Sequence, residues 1–173
     1  LSLQVSGPLA EAVAVVKHPR LKLFERKPLE LEVAGGQAEA RLRIGFPLLA
    51  DLPVELLRVE ATARIADAQL RGALLGHDLE DGRFELAANV EGLKLGGQAV
   101  LEGAPVRLSA ELDFRTGPPA QVQERAMLTG RADPRQLALF GLETGGLLQG
   151  PTALEARYER RRNGAGTVEL RGD

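Results

Sequence analysis

The chain of 173 residues has no cysteine, no tryptophan and few aromatic side chains of any kind. Without cysteine it has no disulfide, no thiolate metal site and no cysteine nucleophile. No apolar run approaches the ~20 residues of a membrane-spanning helix, and no signal-peptide pattern opens the sequence. Basic and acidic residues nearly balance, at 22 and 24, and are spread evenly along the chain. This distribution predicts no nucleic-acid-binding surface.

The sequence also lacks the residue patterns of common catalytic and cofactor sites. It contains no GxSxG motif, no P-loop and no dinucleotide-binding fingerprint. The two histidines, His18 and His77, are far apart in the chain, and no ordered carboxylate cluster accompanies either of them. We therefore expect a protein that is not an enzyme and that uses no metal and no cofactor.

What the sequence does have is a period of two, in which apolar and polar residues alternate over at least eight segments. The longest clean segment covers residues 106–114. Asp-Gly, Glu-Gly and Asn-Gly pairs at 81–82, 91–92, 102–103 and 163–164 predict tight turns between such segments. Short turns join antiparallel neighbours. We predict a mainly β fold: a curved antiparallel meander sheet with one charged face and one aliphatic face.

Only two stretches predict helices, and both are short. Residues 8–17 place apolar side chains on one helical face behind Pro8. Residues 133–140 have Asp133 as the N-cap, Pro134 in the first turn and Gly141 as the stop.

The two helical segments indicate an internal repeat. Each follows a strand that ends in Ser-Gly or Thr-Gly, and each is followed by a loop and a further alternating strand. We divide the chain into a helix-containing unit (1–46), a β-meander (54–132) and the start of a second helix-containing unit (127–173). The sequence opens on Leu-Ser-Leu without Met. We expect a single fragment of a longer, repetitive and elongated β-protein.

The segments GGQAEARLRIGFPL, GLKLGGQAVLEGAPV and MLTGRAD follow one another in an order that resembles the AsmA-like family of Gram-negative envelope proteins. The YhdP-type members are the nearest in pattern, and TamB-like proteins are more distant. This resemblance implies a long periplasmic β-structure whose parent chain is anchored in the inner membrane. It also implies a hydrophobic groove that carries phospholipid towards the outer membrane.

Under this resemblance, the apolar residues of the alternating segments are the candidate contacts for phospholipid acyl chains. Each methylene exposed to water costs roughly 0.8 kcal/mol, so a long acyl chain needs shelter on the order of 10 kcal/mol. The apolar row is long and nearly free of charge. The candidate contacts are Leu42, Ile44, Phe46, Val59, Ile65, Phe84, Leu86, Val90, Leu93, Leu95, Leu101, Leu108, Leu112 and Phe114.

Residues 45–57, GFPLLADLPVELL, interrupt the alternation with two prolines and a cluster of leucines. Proline cannot donate to a central ladder, so this stretch fits a point where one strand leaves the sheet edge and the next one enters. Its leucines either line the rim of a groove or pack beneath a connecting loop.

The same alternation of apolar and polar residues also agrees with an alternative function from a different class. The aliphatic row would then be a closed, dry core without lipid cargo. The fragment would be a structural or protein-interaction β-module of an envelope protein, whose exposed strand edges recruit partner β-segments. Alternation is identical for an open groove and for a filled core, so both interpretations are kept.

Overall fold

The computed structural model describes residues 1–16, 32–45, 58–74, 76–143, 145–146 and 149–173. Within them lie two helices, α1 (Leu9–Val16) and α2 (Pro134–Leu139). The strands are β1 (Ser2–Pro8), β2 (Glu32–Gly45), β3 (Arg58–Leu74), β4 (His77–Asn89), β5 (Gly92–Leu101), β6 (Ala104–Asp113), β7 (Val122–Ala132), β8 (Thr152–Arg161) and β9 (Gly166–Gly172). His18 lies outside the described residues, and so do residues 46–57, which begin with Phe46 and contain both prolines of the GFPLLADLPVELL stretch.

All of these strands form one antiparallel sheet, in which each strand pairs with its neighbours in the chain. The edges of this sheet are β1 and β9, which do not pair with each other, so the sheet is not closed. Register shifts between β2 and β3, β3 and β4, β4 and β5, and β7 and β8 mark bulges. Bulges bend strands and increase their twist. The predicted mainly β meander with two short helices is confirmed.

The register aligns apolar residues in rows that cross the sheet from edge to edge, which together we call the apolar face. Row 1 is Gly7, Ala38, Ile65, Phe84, Gly97, Leu108, Leu128, Ala156 and Leu170. Row 2 is Val5, Ala40, Ala63, Leu86, Leu95, Ala110, Ala126, Tyr158 and Val168. Row 3 is Leu3, Leu42, Ala61, Ala88, Leu93, Leu112, Glu124, Arg160 and Gly166.

The opposite face, which we call the charged face, carries charges of alternating sign on neighbouring strands. Lys94 Nζ lies 3.3 Å from Glu111 Oε1, and on the next two strands Arg125 Nε donates to Glu159 Oε1 at 3.1 Å. Such exposed pairs contribute at most about 1 kcal/mol each. Their larger effect is on register, because a slip of one residue would move these charges onto the apolar face.

The core lies where α1 covers the apolar face. Leu9 of this helix is buried together with Ala38, Phe84 and Leu101. The Phe84 ring packs across two glycines: a Cβ at Gly97 would lie 2.5 Å from its Cδ1, and one at Gly82 would lie 2.6 Å from its Cε2. Glycine at both positions therefore lets an aromatic ring lie flat on the backbone of the sheet.

The second helix begins and ends as predicted. Asp133 Oδ1 accepts hydrogen bonds from the backbone N–H groups of Arg135 and Gln136, at 2.8 and 2.9 Å. Gln136 Oε1 accepts the Asp133 N–H in return at 3.0 Å, which completes a capping box. Pro134 occupies the first helical position, and Gly141 follows the helix with a φ of 74°.

His77 fastens the end of α2 to the sheet. Its ring packs against Phe140, which follows the helix, with the two ring centroids 4.4 Å apart and the ring planes tilted by 49°. Its Nδ1 lies 2.9 Å from Glu102 Oε1. These contacts give His77 a packing partner and a hydrogen-bond partner, so its position has a structural explanation.

Three of the four predicted turns join neighbouring strands, at residues 91–92, 102–103 and 163–164. The prediction for Asp81-Gly82 is wrong, because this pair lies within β4. Asp81 has a φ of 50° and sits at a register shift against β5, so the pair forms a bulge. The connection between β3 and β4 instead passes through Gly76, with a φ of 86°.

Phe84→Ala should lower the free energy of unfolding by about 3–5 kcal/mol, because it leaves a cavity over Gly97 and Gly82 that the backbone cannot fill. Urea denaturation followed by circular dichroism measures this change. Phe114→Ala is the matched control and should cost less than about 1 kcal/mol, since Phe114 is 45% exposed and lies outside the buried cluster. Equal losses for the two variants would contradict the assignment of Phe84 to the core.

Candidate functional site on the apolar face

The apolar face has a covered part, which contains five of the residues that the sequence predicts as acyl-chain contacts. Phe84 and Leu101 are only 5% and 4% exposed. Ile65, Leu95 and Leu108 pack against the same core. Phe84 and Leu101 are therefore buried, whereas Ile65, Leu95 and Leu108 are half-buried side chains that pack against the buried cluster.

Eight other predicted contacts form what we call the open apolar patch. They are Leu42, Ile44, Val59, Leu86, Val90, Leu93, Leu112 and Phe114. Val90 and Phe114 are 62% and 45% exposed, and the other six are half-buried. None of the eight belongs to the cluster packed around Leu9 and Phe84. The remaining candidate, Phe46, lies outside the described residues.

The patch is continuous across the middle strands because small residues connect its members. In row 3, Ala61 and Ala88 lie between Leu42 and Leu93. Leu93 pairs directly with Leu112 on the next strand. The result is a low aliphatic surface that offers nonspecific van der Waals contact and no polar group until the row reaches β7.

An ion pair, Glu124–Arg160, interrupts row 3 immediately beside Leu112. Arg160 Nε donates to Glu124 Oε2 at 2.9 Å, and Arg160 Nη2 donates to Glu124 Oε1. The Arg160 side chain is 27% exposed, and the Glu124 side chain is 13% exposed. Hydrogen bonding to Glu124 raises the pKa of Arg160 above its ordinary value, so the guanidinium stays charged.

Sequence reasoning missed this pair because it expected an apolar row nearly free of charge. Glu124 lies two residues before Ala126 on β7, and Arg160 lies two residues after Tyr158 on β8, so alternation itself places both on the apolar face. Both positions carry a charge where the neighbouring positions of the same face are apolar. These two charged residues in otherwise apolar positions were the indication available in the sequence.

Two open depressions, of about 670 and 860 Å³, lie on the charged face rather than on the open apolar patch. Both are bordered by Arg64 and Glu85, and both extend over Gly96. A Cβ at Gly96 would meet nothing within 4 Å. The depressions therefore arise because a glycine lies among long, solvated side chains, and they add nothing to the apolar site.

A second polar cluster fixes the end of the sheet near the open apolar patch. Arg115 Nε and Nη2 donate to the two Asp113 carboxylate oxygens at 2.9 and 3.0 Å, and Gln121 Nε2 donates to Asp113 Oδ2 at 2.8 Å. Arg162 reaches the same group from the β8–β9 turn. The hydrogen bonds from Arg115 lower the pKa of Asp113 to about 2. This cluster joins the β6–β7 loop to the neighbouring turn.

In the part of the chain that the structure describes, no group of three or more His, Asp or Glu side chains is arranged to hold a metal ion. Neither α1 nor α2 is long and apolar enough to cross a membrane.

A scan against protein-family models finds no family that matches the chain. Searches of curated proteins and of solved structures also find no match. The resemblance to the AsmA-like family therefore stays a prediction from the sequence.

Asp113→Asn should reduce the loss of stability that acid causes. Because the pKa of Asp113 is lowered, its ionised form contributes stability above the unfolded value of about 3.9, and this contribution is lost as the pH falls towards 2. The free energy of unfolding, measured by urea denaturation between pH 5 and 2, should fall less steeply for Asp113→Asn than for the original chain. Glu111→Gln on the exposed ladder is the control, and a slope for Asp113→Asn equal to that of the original chain would contradict the prediction.

Proposed function

We propose that this chain is a segment of an AsmA-like periplasmic lipid-transfer protein, which shelters phospholipid acyl chains on its open apolar patch. The observation that carries the proposal is the position of that patch: a continuous aliphatic surface, outside the helix-covered core, on a sheet whose other face is charged. Contiguous apolar surface left exposed on a folded protein typically marks an interaction site.

The energetics of the patch favour an aliphatic cargo. Covering apolar surface contributes about 25 cal/mol per Å², and both the acyl chain and the exposed side chains gain when they meet. Hydrophobic contact is also non-directional. An alkyl chain could therefore shift along row 2, which carries no charged residue, without breaking specific bonds, and this suits transfer better than storage.

The direction of such a path follows from the rows. They run perpendicular to the strands, from β1 at one edge to β9 at the other. In this proposal the parent protein is anchored in the inner membrane of a Gram-negative cell through a part outside this sequence. Phospholipid is its partner, and the chain carries out no reaction and uses no cofactor.

A second candidate function is a protein-interaction module. It is favoured by the exposure of apolar side chains on both edge strands: Leu3 and Val5 on β1 are 52% and 55% exposed, and Val168 on β9 is 73% exposed. An unpaired edge strand can accept a further β-segment through its main-chain hydrogen-bonding groups. Under this alternative a partner protein, and not lipid, would cover the apolar face.

Photo-crosslinking at positions 86 and 85 tests the lipid proposal. Leu86 lies half-buried on the open apolar patch, while the Glu85 side chain is 79% exposed on the charged face. With a photoreactive amino acid at either position and phospholipid vesicles present, we expect lipid adducts at 86 and none at 85, measured by mass spectrometry. Position 101, whose side chain is only 4% exposed in the core, serves as a second control on the apolar side and should be silent.

The same experiment separates the two candidate functions. Equal lipid adducts at 86 and 85 would indicate nonspecific association and would contradict the proposal. Silence at both positions, together with protein adducts from a photoreactive group at Val168, would instead support the interaction module.

A further inference from the structure

The ion pair in row 3 lies at the border of the open apolar patch. Leu112 of the patch is directly opposite Glu124, and Glu124 is opposite Arg160. Adjacent strands are about 4.8 Å apart, so Arg160 lies roughly 10 Å from Leu112 along the row. An amphiphile whose chains lie on Leu93 and Leu112 would therefore place its polar end near Arg160.

Arg160 retains hydrogen-bonding capacity after pairing with Glu124. A guanidinium has five N–H donors in a fixed plane, and the pair uses one at Nε and one at Nη2. The other three have no acceptor among the described residues. Its side chain is 27% exposed, so these donors remain accessible while apolar neighbours partly exclude water. A fixed guanidinium of this kind is well suited to phosphate oxygens.

Tyr158 adds a second donor on the same face. It lies two residues before Arg160 on β8, opposite Ala126 in row 2. Its side chain is half-buried, and its hydroxyl has no hydrogen-bond partner within the described part of the chain. Residues two apart on a strand are about 7 Å apart, a distance that a phosphate group and the two side chains can bridge together.

We propose that Arg160, oriented by Glu124 and assisted by Tyr158, binds the phosphate of a phospholipid whose acyl chains lie on the open apolar patch. This proposal rests on the proposed function and adds that the cargo is recognised by its phosphate. Glu124 is a positioning residue, because its carboxylate holds the guanidinium plane through two hydrogen bonds.

The charge balance of the pair sets the expected selectivity. Glu124 compensates the charge of Arg160, so the site adds no net positive charge and does not select anionic over zwitterionic lipids by Coulomb attraction. Recognition comes from hydrogen-bonding geometry. Phosphatidylcholine and phosphatidylglycerol therefore both fit, whereas diacylglycerol with the same acyl chains has no phosphate and gains nothing from Arg160.

To test this, the purified 173-residue chain is mixed with vesicles. The vesicles contain equal amounts of photoreactive phosphatidylcholine and photoreactive diacylglycerol with identical acyl chains. The ratio of the two adducts is measured by mass spectrometry. Charge-assisted hydrogen bonds of this kind should favour phosphatidylcholine about tenfold. The double variant Glu124→Leu with Arg160→Leu removes the whole pair and should crosslink both lipids without that preference. Arg157→Gln, on the opposite face of the same strand, should keep the original ratio.

Arg160→Lys provides a second variant. It keeps the positive charge beside Glu124 but loses the planar guanidinium with its two parallel N–H donors. Its ratio of phosphatidylcholine to diacylglycerol adducts should fall between that of the original chain and that of the double variant. Circular dichroism establishes that each variant is folded.

A preference for phosphatidylcholine that survives in both Arg160 variants would overturn phosphate recognition and leave acyl-chain binding intact. Absence of any lipid adduct from the folded original chain would instead overturn the proposed function. Loss of the preference in millimolar inorganic phosphate would reveal a free-anion site and would also overturn the phospholipid assignment.

Discussion

The pairing register between neighbouring strands is the constraint on which the rest of this molecule depends. Successive side chains of a strand point to opposite faces, so a slip of one residue would exchange the apolar and charged faces completely. Both faces oppose such a slip. On one side the leucine, valine and alanine rows would be driven into water, and on the other the alternating charges of Lys94, Glu111, Arg125 and Glu159 would be driven out of it.

The buried core and the open apolar patch occupy different parts of the same strands. Burial is concentrated where Leu9 of α1 meets Phe84 and Leu101. Among the described residues, Leu86, Leu93 and Leu112 lie outside the buried cluster around Leu9 and Phe84. A fold that draws its packing from one part of the sheet can leave the other part uncovered, and this is the arrangement that a surface for exchangeable cargo requires.

The sequence was informative wherever structure is decided locally. Alternation predicted the strands, and Asp133 with Pro134 and Gly141 predicted α2, because capping and proline effects act within one turn. Asp81-Gly82 was misassigned, since a positive φ serves a bulge as well as a hairpin. Alternation places Glu124 and Arg160 on the apolar face, but their pairing depends on the register between β7 and β8, which the sequence alone does not reveal. How much of that face the helices cover depends on tertiary packing, so the split between Phe84 and Leu86 could not be predicted.

The number of strands fixes the length of the aliphatic surface. Nine strands in one open sheet are separated by eight spacings of about 4.8 Å, so row 2, which carries no charged residue, measures roughly 38 Å from β1 to β9. The hydrocarbon core of a bilayer is about 30 Å thick. In the proposed function, an acyl chain that crosses this one sheet would therefore travel farther than the thickness of the hydrocarbon core that it had left. It would do so over a surface formed by a single layer of side chains.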